Sequence, residues 1–244
     1  MRGGLTLSDL EPVLEKAFGL YGLECIALAI NSPGGSPVQS SLIAGRIRAL
    51  AAEKEVKVIA FAEDLAASGG YWLACAGDEI WADESSIVGS IGVIHAGFGF
   101  PELLERFGVE RRLHTSGKRK GMLDPFSPEK RDDVRHLKTV QEDIHETFRE
   151  WVRGRRSERL KADEADLFSG AWWTGRQALE KGLIDGLGNV HGLMRERYGE
   201  DVKLVPVQAA RPWWRRFAPG RGEAWAAGAL SAAEERLMWS RFGL

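Results

Sequence analysis

The sequence is poor in cysteine, in long apolar runs and in net charge of either sign. Its two cysteines, Cys25 and Cys75, stand among apolar residues, so we expect buried free thiols rather than a disulfide scaffold or a metal site. No segment approaches the ~20 apolar residues that a membrane-spanning helix needs, and charged residues interrupt the N-terminal stretch too early for a signal peptide. Because the formal net charge is −2 over 244 residues, we expect no general nucleic-acid-binding surface.

The first third of the sequence alternates short apolar runs with longer stretches of helical character. Short continuous apolar runs are typical of strands buried on both faces, and the stretches between them have helical periodicity or helix-start signals. Strand, helix, strand at this spacing is typical of βαβ units, which build a mostly parallel sheet with right-handed crossovers. We therefore predict an α/β fold. The predicted strands are 26–30, 56–61 and 79–82, and the predicted helices are 8–18, 37–53 and a turn with a helix over 64–77.

The remaining two thirds of the sequence give weaker signals. After Ser85 the glycine content rises, which predicts turns and short strands, and 108–113 has the character of a further strand. A long amphipathic helix is predicted from Pro128. We expect two parts: a domain over 1–208, and a C-terminal extension over 209–244 that consists of a loop rich in tryptophan and arginine followed by a helix.

Two glycine-containing loops stand at equivalent places in the predicted sheet. "NSPGG" at 31–35 and "AASGG" at 66–70 each follow a strand and open a helix. Ligands of parallel sheets bind outside the carboxyl ends of the strands. We therefore expect both loops to face the same crevice.

Ser68, within the second loop, has two interpretations. A hydroxyl at the start of a helix is commonly a cap. The small residues around it also suit a nucleophile, because Gly69 and Gly70 let another chain approach closely. The amides of Gly69 and Gly35 would then form an oxyanion hole, although the glycines of the first loop can also serve only to make a sharp turn.

A serine nucleophile needs a base. Of the five histidines, His95 and His114 are the candidates, but no acidic residue is placed to orient either one. The loop 115–126 offers Lys118 and Lys120, and a lysine acts as a general base when its surroundings lower its pKa. The alternative is that both lysines are solvated loop charges.

Five motifs together resemble the signal peptide peptidase A family, the S49 serine peptidases, in both order and spacing. The similarity covers roughly residues 20 to 205. Each motif alone is weak to moderate, and the set is specific. The motifs are "INSPGGSP" at 30–37, "AASGGYWLA" at 66–74, "SIVGSIGVI" at 86–94, "TSGKRKGMLDPF" at 115–126 and "WWTGRQALEKGLIDGLGN" at 172–189.

This resemblance implies a crotonase-like (Clp protease-like) α/β fold with a serine–lysine dyad and no cofactor or metal. Ser68 matches the family nucleophile, and Lys120 matches the general base as the fifth residue of an S-G-x-x-K pattern, which makes Lys118 the second choice. Ser90 matches the serine that orients the lysine amine. The oxyanion amides fall on Gly35 and Gly69.

The resemblance also carries expectations about substrates and partners. It implies peptide substrates such as remnant signal peptides, and a homo-oligomeric ring or dome in which neighbouring subunits can complete the dyad. Tyr71 and Val88 are candidates for an apolar substrate wall, with core packing as the alternative. The basic residues Arg111, Arg112 and Arg119, together with Lys118, would help to keep the dyad lysine neutral.

Membrane association is also implied by the resemblance, although neither the usual anchor nor a signal stands in this sequence, which favours a cytoplasmic location. The tryptophans and arginines of 211–217 suit a peripheral membrane contact or an ordinary packing loop. Three alternative functions stay open. These are a crotonase-type acyl-CoA enzyme that uses only the glycine amides, a noncatalytic scaffold of the same fold, and a serine–histidine peptidase that uses His95.

Overall fold

A computed structural model describes residues 5–208, 236 and 239–243 of the chain. The chain divides into two compact units. The larger unit comprises the residues up to Ile91 and those from Arg149 onwards, and the smaller unit comprises Gly92–Phe148. Almost all of the expected C-terminal extension, including the loop with tryptophan and arginine, lies outside the described residues.

The larger unit is built on a six-stranded mixed sheet. The long central strand pairs in parallel with three neighbours, and a parallel partner continues the sheet beyond one of them. One short strand is antiparallel to its neighbour. The predicted α/β class with a mostly parallel sheet is therefore confirmed. The strands are β1 Cys25–Ser32, β2 Lys57–Ala67, β3 Glu79–Ala82, β4 Ile87–Gly89, β5 Trp172–Thr174 and β6 Gly186–Leu187.

The first two helices of the chain follow the predicted ones closely. Ser36 caps the second helix by accepting the Gln39 amide, and Pro37 takes its first position. The Gln39 side chain accepts the Leu7 amide at 2.8 Å and so ties the first helix to the second. The helices are α1 Leu7–Phe18, α2 Pro37–Lys54, α3 Gly69–Ala74, α4 Pro101–Arg106, α5 Arg131–Arg156, α6 Glu164–Leu167, α7 Gly175–Glu180 and α8 Val190–Tyr198, with a 3₁₀ turn at Ser157–Arg159.

Strand β2 is longer than its sequence predicts. The apolar run ends near residue 61, but the strand continues to Ala67 because its last three residues pair with β4 in the register Ala67 to Gly89. The predicted turn and helix over 64–77 are correspondingly wrong in their first half. As a result, Ser68 stands directly at the junction between β2 and α3.

The strand predicted over 108–113 is wrong. The helix α4 lies just before this segment, and Gly108, the first residue of the segment, has a φ of 63°. The rest of the segment is irregular and exposed. No strand among the described residues lies beside it to pair with it. The smaller unit therefore consists of α4, irregular chain and the N-terminal part of α5.

The larger unit contains one fully buried arginine. Arg156, at the end of α5, is 1% exposed and forms a double ion pair with Asp185, with contacts of 2.7 and 3.1 Å. Its guanidinium also donates to the Gly182 carbonyl at 2.9 and 3.2 Å. These contacts fasten the end of α5 to the turn that leads into β6.

Replacing Arg156 with methionine should lower the melting temperature by about 10 °C. Breaking a buried pair on one side costs about 3–5 kcal/mol, and here Asp185 would keep only the longer, half-exposed contact with Arg159 at 3.4 Å. Each kcal/mol is worth about 2–4 °C in a chain of this length. Thermal unfolding followed by circular dichroism measures the shift. The matched double variant, Arg156→Met with Asp185→Asn, removes the charge but keeps an oxygen that can accept the Ile80 amide, and it should recover part of the loss. A shift in the single variant of under about 2 °C would contradict this account.

No helix among the described residues is long and apolar enough to span a bilayer.

Candidate active site

Ser68 occupies a sharp turn from strand to helix. Its backbone has φ 53° and ψ −120°, a conformation that side-chain-bearing residues rarely adopt, and its side chain makes no capping hydrogen bond to α3. The helix-cap interpretation is therefore not supported. A strained strand-to-helix turn is the geometry that exposes the nucleophilic serine of α/β-hydrolases. Such strain costs about 1–3 kcal/mol, so the surrounding structure must impose it.

Two backbone hydrogen bonds hold Ser68 in this conformation. Its amide donates to the Gly89 carbonyl of β4 at 2.8 Å, and its carbonyl accepts the Trp72 amide of α3 at 3.0 Å. The residue is half-buried. Both backbone groups are thus used for positioning, which leaves the hydroxyl as the group that Ser68 presents.

The first glycine loop touches the Ser68 side chain. Gly34 has a φ of 118°, and a β-carbon added to it would lie 2.8 Å from the Ser68 Cβ and 3.1 Å from its Oγ. A side chain at this position would collide with the serine. The structure therefore brings the two predicted loops together, and it shows that Gly34 is required for the close approach.

Two unused backbone amides lie beside the serine. A β-carbon added to Gly69 would lie 3.1 Å from the Gly35 nitrogen, so these two glycines are neighbours. Neither amide donates a hydrogen bond to any residue that the structure describes. For Gly69 this follows from its place in the first turn of α3, where amides have no partner within the helix. Unused amides on neighbouring residues are the kind of donors from which an oxyanion hole is built.

Ser90 lies next to Ser68 at the same edge of the sheet. The two serines follow the paired residues Ala67 and Gly89 of β2 and β4, so they stand on neighbouring strand ends, which are ~4.8 Å apart in a sheet. Ser90 also has a positive φ, 54°, and its amide donates to the Ala171 carbonyl at 2.7 Å. The structure therefore places a second hydroxyl residue beside the first.

The two candidate substrate-wall residues belong to the core. Tyr71 is fully buried, and its hydroxyl donates to the Leu183 carbonyl at 2.7 Å. Burial raises the pKa of Tyr71 well above its usual value. Val88 is also fully buried. Their placement favours the core-packing alternative.

The candidate bases belong to the smaller unit. Lys118 and Lys120 are exposed on a turn, in which the Lys120 amide donates to the Gly117 carbonyl at 3.1 Å. His95 and His114 are exposed as well. None of the four side chains makes a hydrogen bond or ion pair with another described residue.

Two members of the predicted basic cluster are already paired with acidic residues. Arg111 contacts Asp124 at 3.3 Å, and Arg112 contacts Glu110 at 2.8 Å. The hydrogen bonds from Ser127 and Arg111 lower the pKa of Asp124. The positive charge available near the lysines is therefore smaller than the sequence suggests.

Sequence reasoning missed two residues of this site. Gly34 was not singled out because both glycines of the loop look alike in sequence, and only the backbone conformation distinguishes them. Ser40 is buried in α2, and a β-carbon added to Gly69 would lie 2.5 Å from its Oγ. No local pattern marks Ser40, because its role depends on a contact with a residue 29 positions away.

Comparison with known proteins identifies the class to which this fold and site belong. Residues 51–202, more than half of the chain, match the model of Peptidase family S49. The chain belongs to this family, as its motifs predict. The serine protease SPPA of Arabidopsis thaliana chloroplasts is 34% identical to it over 67% of the chain and 24% of that protein.

A longer protein matches the whole chain. The Na(+)/H(+) antiporter NhaA of Brucella melitensis is 50% identical over 100% of the chain, which covers 35% of that protein. The chain thus spans about a third of this relative's length. The antiporter name describes that longer protein, of which the matched region is only 35%.

Proposed function

We propose that the chain is a serine peptidase of crotonase-like fold in which Ser68 is the nucleophile and Lys120 the general base. The observation that carries this proposal is the strained turn at Ser68, with the unused amides of Gly35 and Gly69 beside it. Membership of family S49 supports it. A hydroxyl held beside two unused amide donors suits attack on a carbonyl carbon, because such amides can stabilise the oxyanion that forms.

The reaction would proceed by acyl transfer. The neutral amine of Lys120 takes the proton of the Ser68 hydroxyl as the oxygen attacks the peptide carbonyl, and the two amides hold the negative oxygen. The ammonium then returns the proton to the leaving amine, and the carbon–nitrogen bond breaks. A water molecule, deprotonated by the same lysine, then attacks the acyl carbon. The bond to the Ser68 oxygen breaks, and that oxygen takes the proton back from the lysine.

Ser90 would orient the lysine in this scheme. Its hydroxyl would accept a hydrogen bond from the amine and so restrict the amine to positions that reach Ser68. This role is proposed from the family resemblance, and the position of Ser90 on the strand end next to Ser68 supports it. Lys118 is the alternative base.

Extended polypeptides such as remnant signal peptides are the proposed substrates, and a homo-oligomer at a membrane is the proposed assembly. The smaller unit supports the oligomer, because it exposes several large apolar side chains that a partner would cover. Light scattering of the purified chain tests the assembly, and a monomer mass would contradict it. The exposed side chains include Ile94 (65%), Phe98 (81%), Phe107 (76%) and Val109 (53%).

A fluorophosphonate probe tests the chemistry directly. Incubation of the purified chain should produce one covalent adduct, and peptide mass spectrometry should locate it on Ser68. Ser40→Ala, which removes a different buried serine hydroxyl close to Gly69, should still be labelled, and Ser68→Ala should not.

The same experiment distinguishes the second candidate, an acyl-CoA enzyme that uses the paired amides on a thioester. That enzyme would not need the Ser68 hydroxyl. An unlabelled wild-type chain that binds an acyl-CoA, tested beside a serine hydrolase that is labelled under the same conditions, would overturn the peptidase proposal.

A further inference from the structure

The C-terminal end of α3 is held by an unusual number of side-chain donors. The last carbonyls of a helix have no partner within the helix. Here the carbonyls of α3 and of the turn that follows it accept hydrogen bonds from side chains of α2, α5 and the 3₁₀ turn. The contacts are Trp151 Nε1 to Trp72 O (3.0 Å), Arg155 Nε to Cys75 O (2.8 Å), Arg155 Nη2 to Gly77 O (3.0 Å), Arg48 Nη1 to Ala76 O (3.1 Å) and Arg159 Nη1 to Asp78 O (2.9 Å).

Arg155 is the centre of this group. It is the residue that binds two of the carbonyls, and its guanidinium also contacts the Asp78 carboxylate at 3.3 Å. Asp78 in turn accepts Arg48 at 2.9 Å. The planar guanidinium presents several donors in a fixed arrangement, so it can hold two carbonyls at once, whereas an ammonium cannot do so with the same geometry.

The helix that these contacts hold has little stability of its own. It has six residues, begins with two glycines and has no side-chain cap at Ser68. A single short helix of this kind is marginal without tertiary contacts, and glycine lowers its propensity further. The contacts at its C-terminal end therefore act together with the packing of the buried Tyr71 and Trp72 in fixing its position.

A displacement of that end would reach the serine. Six residues of helix are about 9 Å long, and the Trp72 amide, in the middle of α3, donates to the Ser68 carbonyl. Because the Gly69 amide is the first of the helix, a shift of α3 moves both the nucleophile and one of the proposed oxyanion donors. A misplacement of about 1 Å at a reacting group can cost ~10²-fold in rate.

We propose that Arg155 is a positioning residue for Ser68. It acts through α3, by fixing the two carbonyls that follow the helix, and so sets the position of the Ser68 hydroxyl relative to the Gly35 and Gly69 amides. The inference rests on the proposed function. A purely structural role would lower stability without changing the reactivity of the folded protein.

The rate of labelling by a fluorophosphonate probe separates these two roles. In Arg155→Ala, the maximal inactivation rate constant kinact should fall by about 10- to 100-fold, while the half-saturation constant KI stays within about threefold. Arg155→Lys keeps the charge but replaces the planar guanidinium with an ammonium, so its kinact should lie between those of the alanine variant and the wild type. Free guanidinium should raise kinact of the alanine variant.

The control is Arg135→Ala on the same helix, where the side chain is 78% exposed and pairs with Asp132. Its labelling should match that of the wild type. Circular dichroism at the assay temperature establishes the folded fraction, by which kinact is corrected. If Arg155→Ala does not fold, Arg155→Lys carries the test.

Three outcomes would overturn the inference. An Arg155 variant that labels at the wild-type rate would do so, and so would a loss of labelling fully explained by the unfolded fraction. Absence of labelling in the wild-type chain would overturn the proposed function as well, whereas the first two outcomes leave the proposed function intact.

Discussion

Replacing Ser68 with alanine should reduce peptide hydrolysis by about 10³-fold or more, because the substitution removes the oxygen that forms the acyl-enzyme in the proposed mechanism. The backbone should keep its conformation, since alanine retains the β-carbon and the two backbone hydrogen bonds that hold the turn do not involve the side chain. The melting temperature should therefore change little. Cleavage of unfolded casein and of a signal-peptide library, followed by mass spectrometry, measures the loss.

Lys120→Ala should produce a loss of similar size, and the double variant should be no worse than either single one, because groups that act as a unit are not additive. Lys118→Ala is the matched control: it removes the same charge from the same exposed turn and should retain most of the activity. Near-normal turnover in Lys120→Ala, with loss in Lys118→Ala or His95→Ala, would contradict the assignment of the base.

Gly34→Ala should reduce activity by about 10²-fold or more, although the proposed nucleophile is still present. The added methyl group would lie 2.8 Å from the Ser68 Cβ, which forces the serine or the loop to move. The φ of 118° is also unfavourable for any residue with a side chain. The variant should consequently unfold at a lower temperature as well.

Position 35 provides a matched control for this substitution. A β-carbon on Gly35 meets nothing within 4 Å, and its φ is not in the positive range. Gly35→Ala keeps the amide and should lose less than about tenfold in activity, with an unchanged melting temperature. Equal behaviour of the two variants would show that the contact between the first loop and Ser68 has no importance for turnover.

The meeting of the two glycine loops could be predicted from sequence because it follows from a general property of parallel sheets. Each loop follows a strand, and the carboxyl ends of neighbouring parallel strands lie at one edge. The extension of β2 to Ala67 could not be predicted in this way, because 62–67 has no strand pattern of its own. It is a strand because β4, about 20 residues later, pairs with it.

The backbone conformation of Ser68 could not be predicted from the sequence either. Two glycines follow it, which suggests that a glycine would take any positive φ in the turn, but the positive φ falls on the serine itself. The choice of Lys120 over Lys118 has a different basis. Both lysines are exposed on the same turn, so only the spacing of the family motif distinguishes them.

The paired serines at the sheet edge have a consequence for directed evolution. Ser68 and Ser90 adopt φ values of 53° and 54°, which glycine adopts freely and serine does only at an energetic penalty. A library screened for heat resistance alone would therefore accumulate glycine at both positions, and with Ser68 as the proposed nucleophile the selected proteins would be stable but inactive. Screens for hardier versions of this chain need a turnover assay in every round.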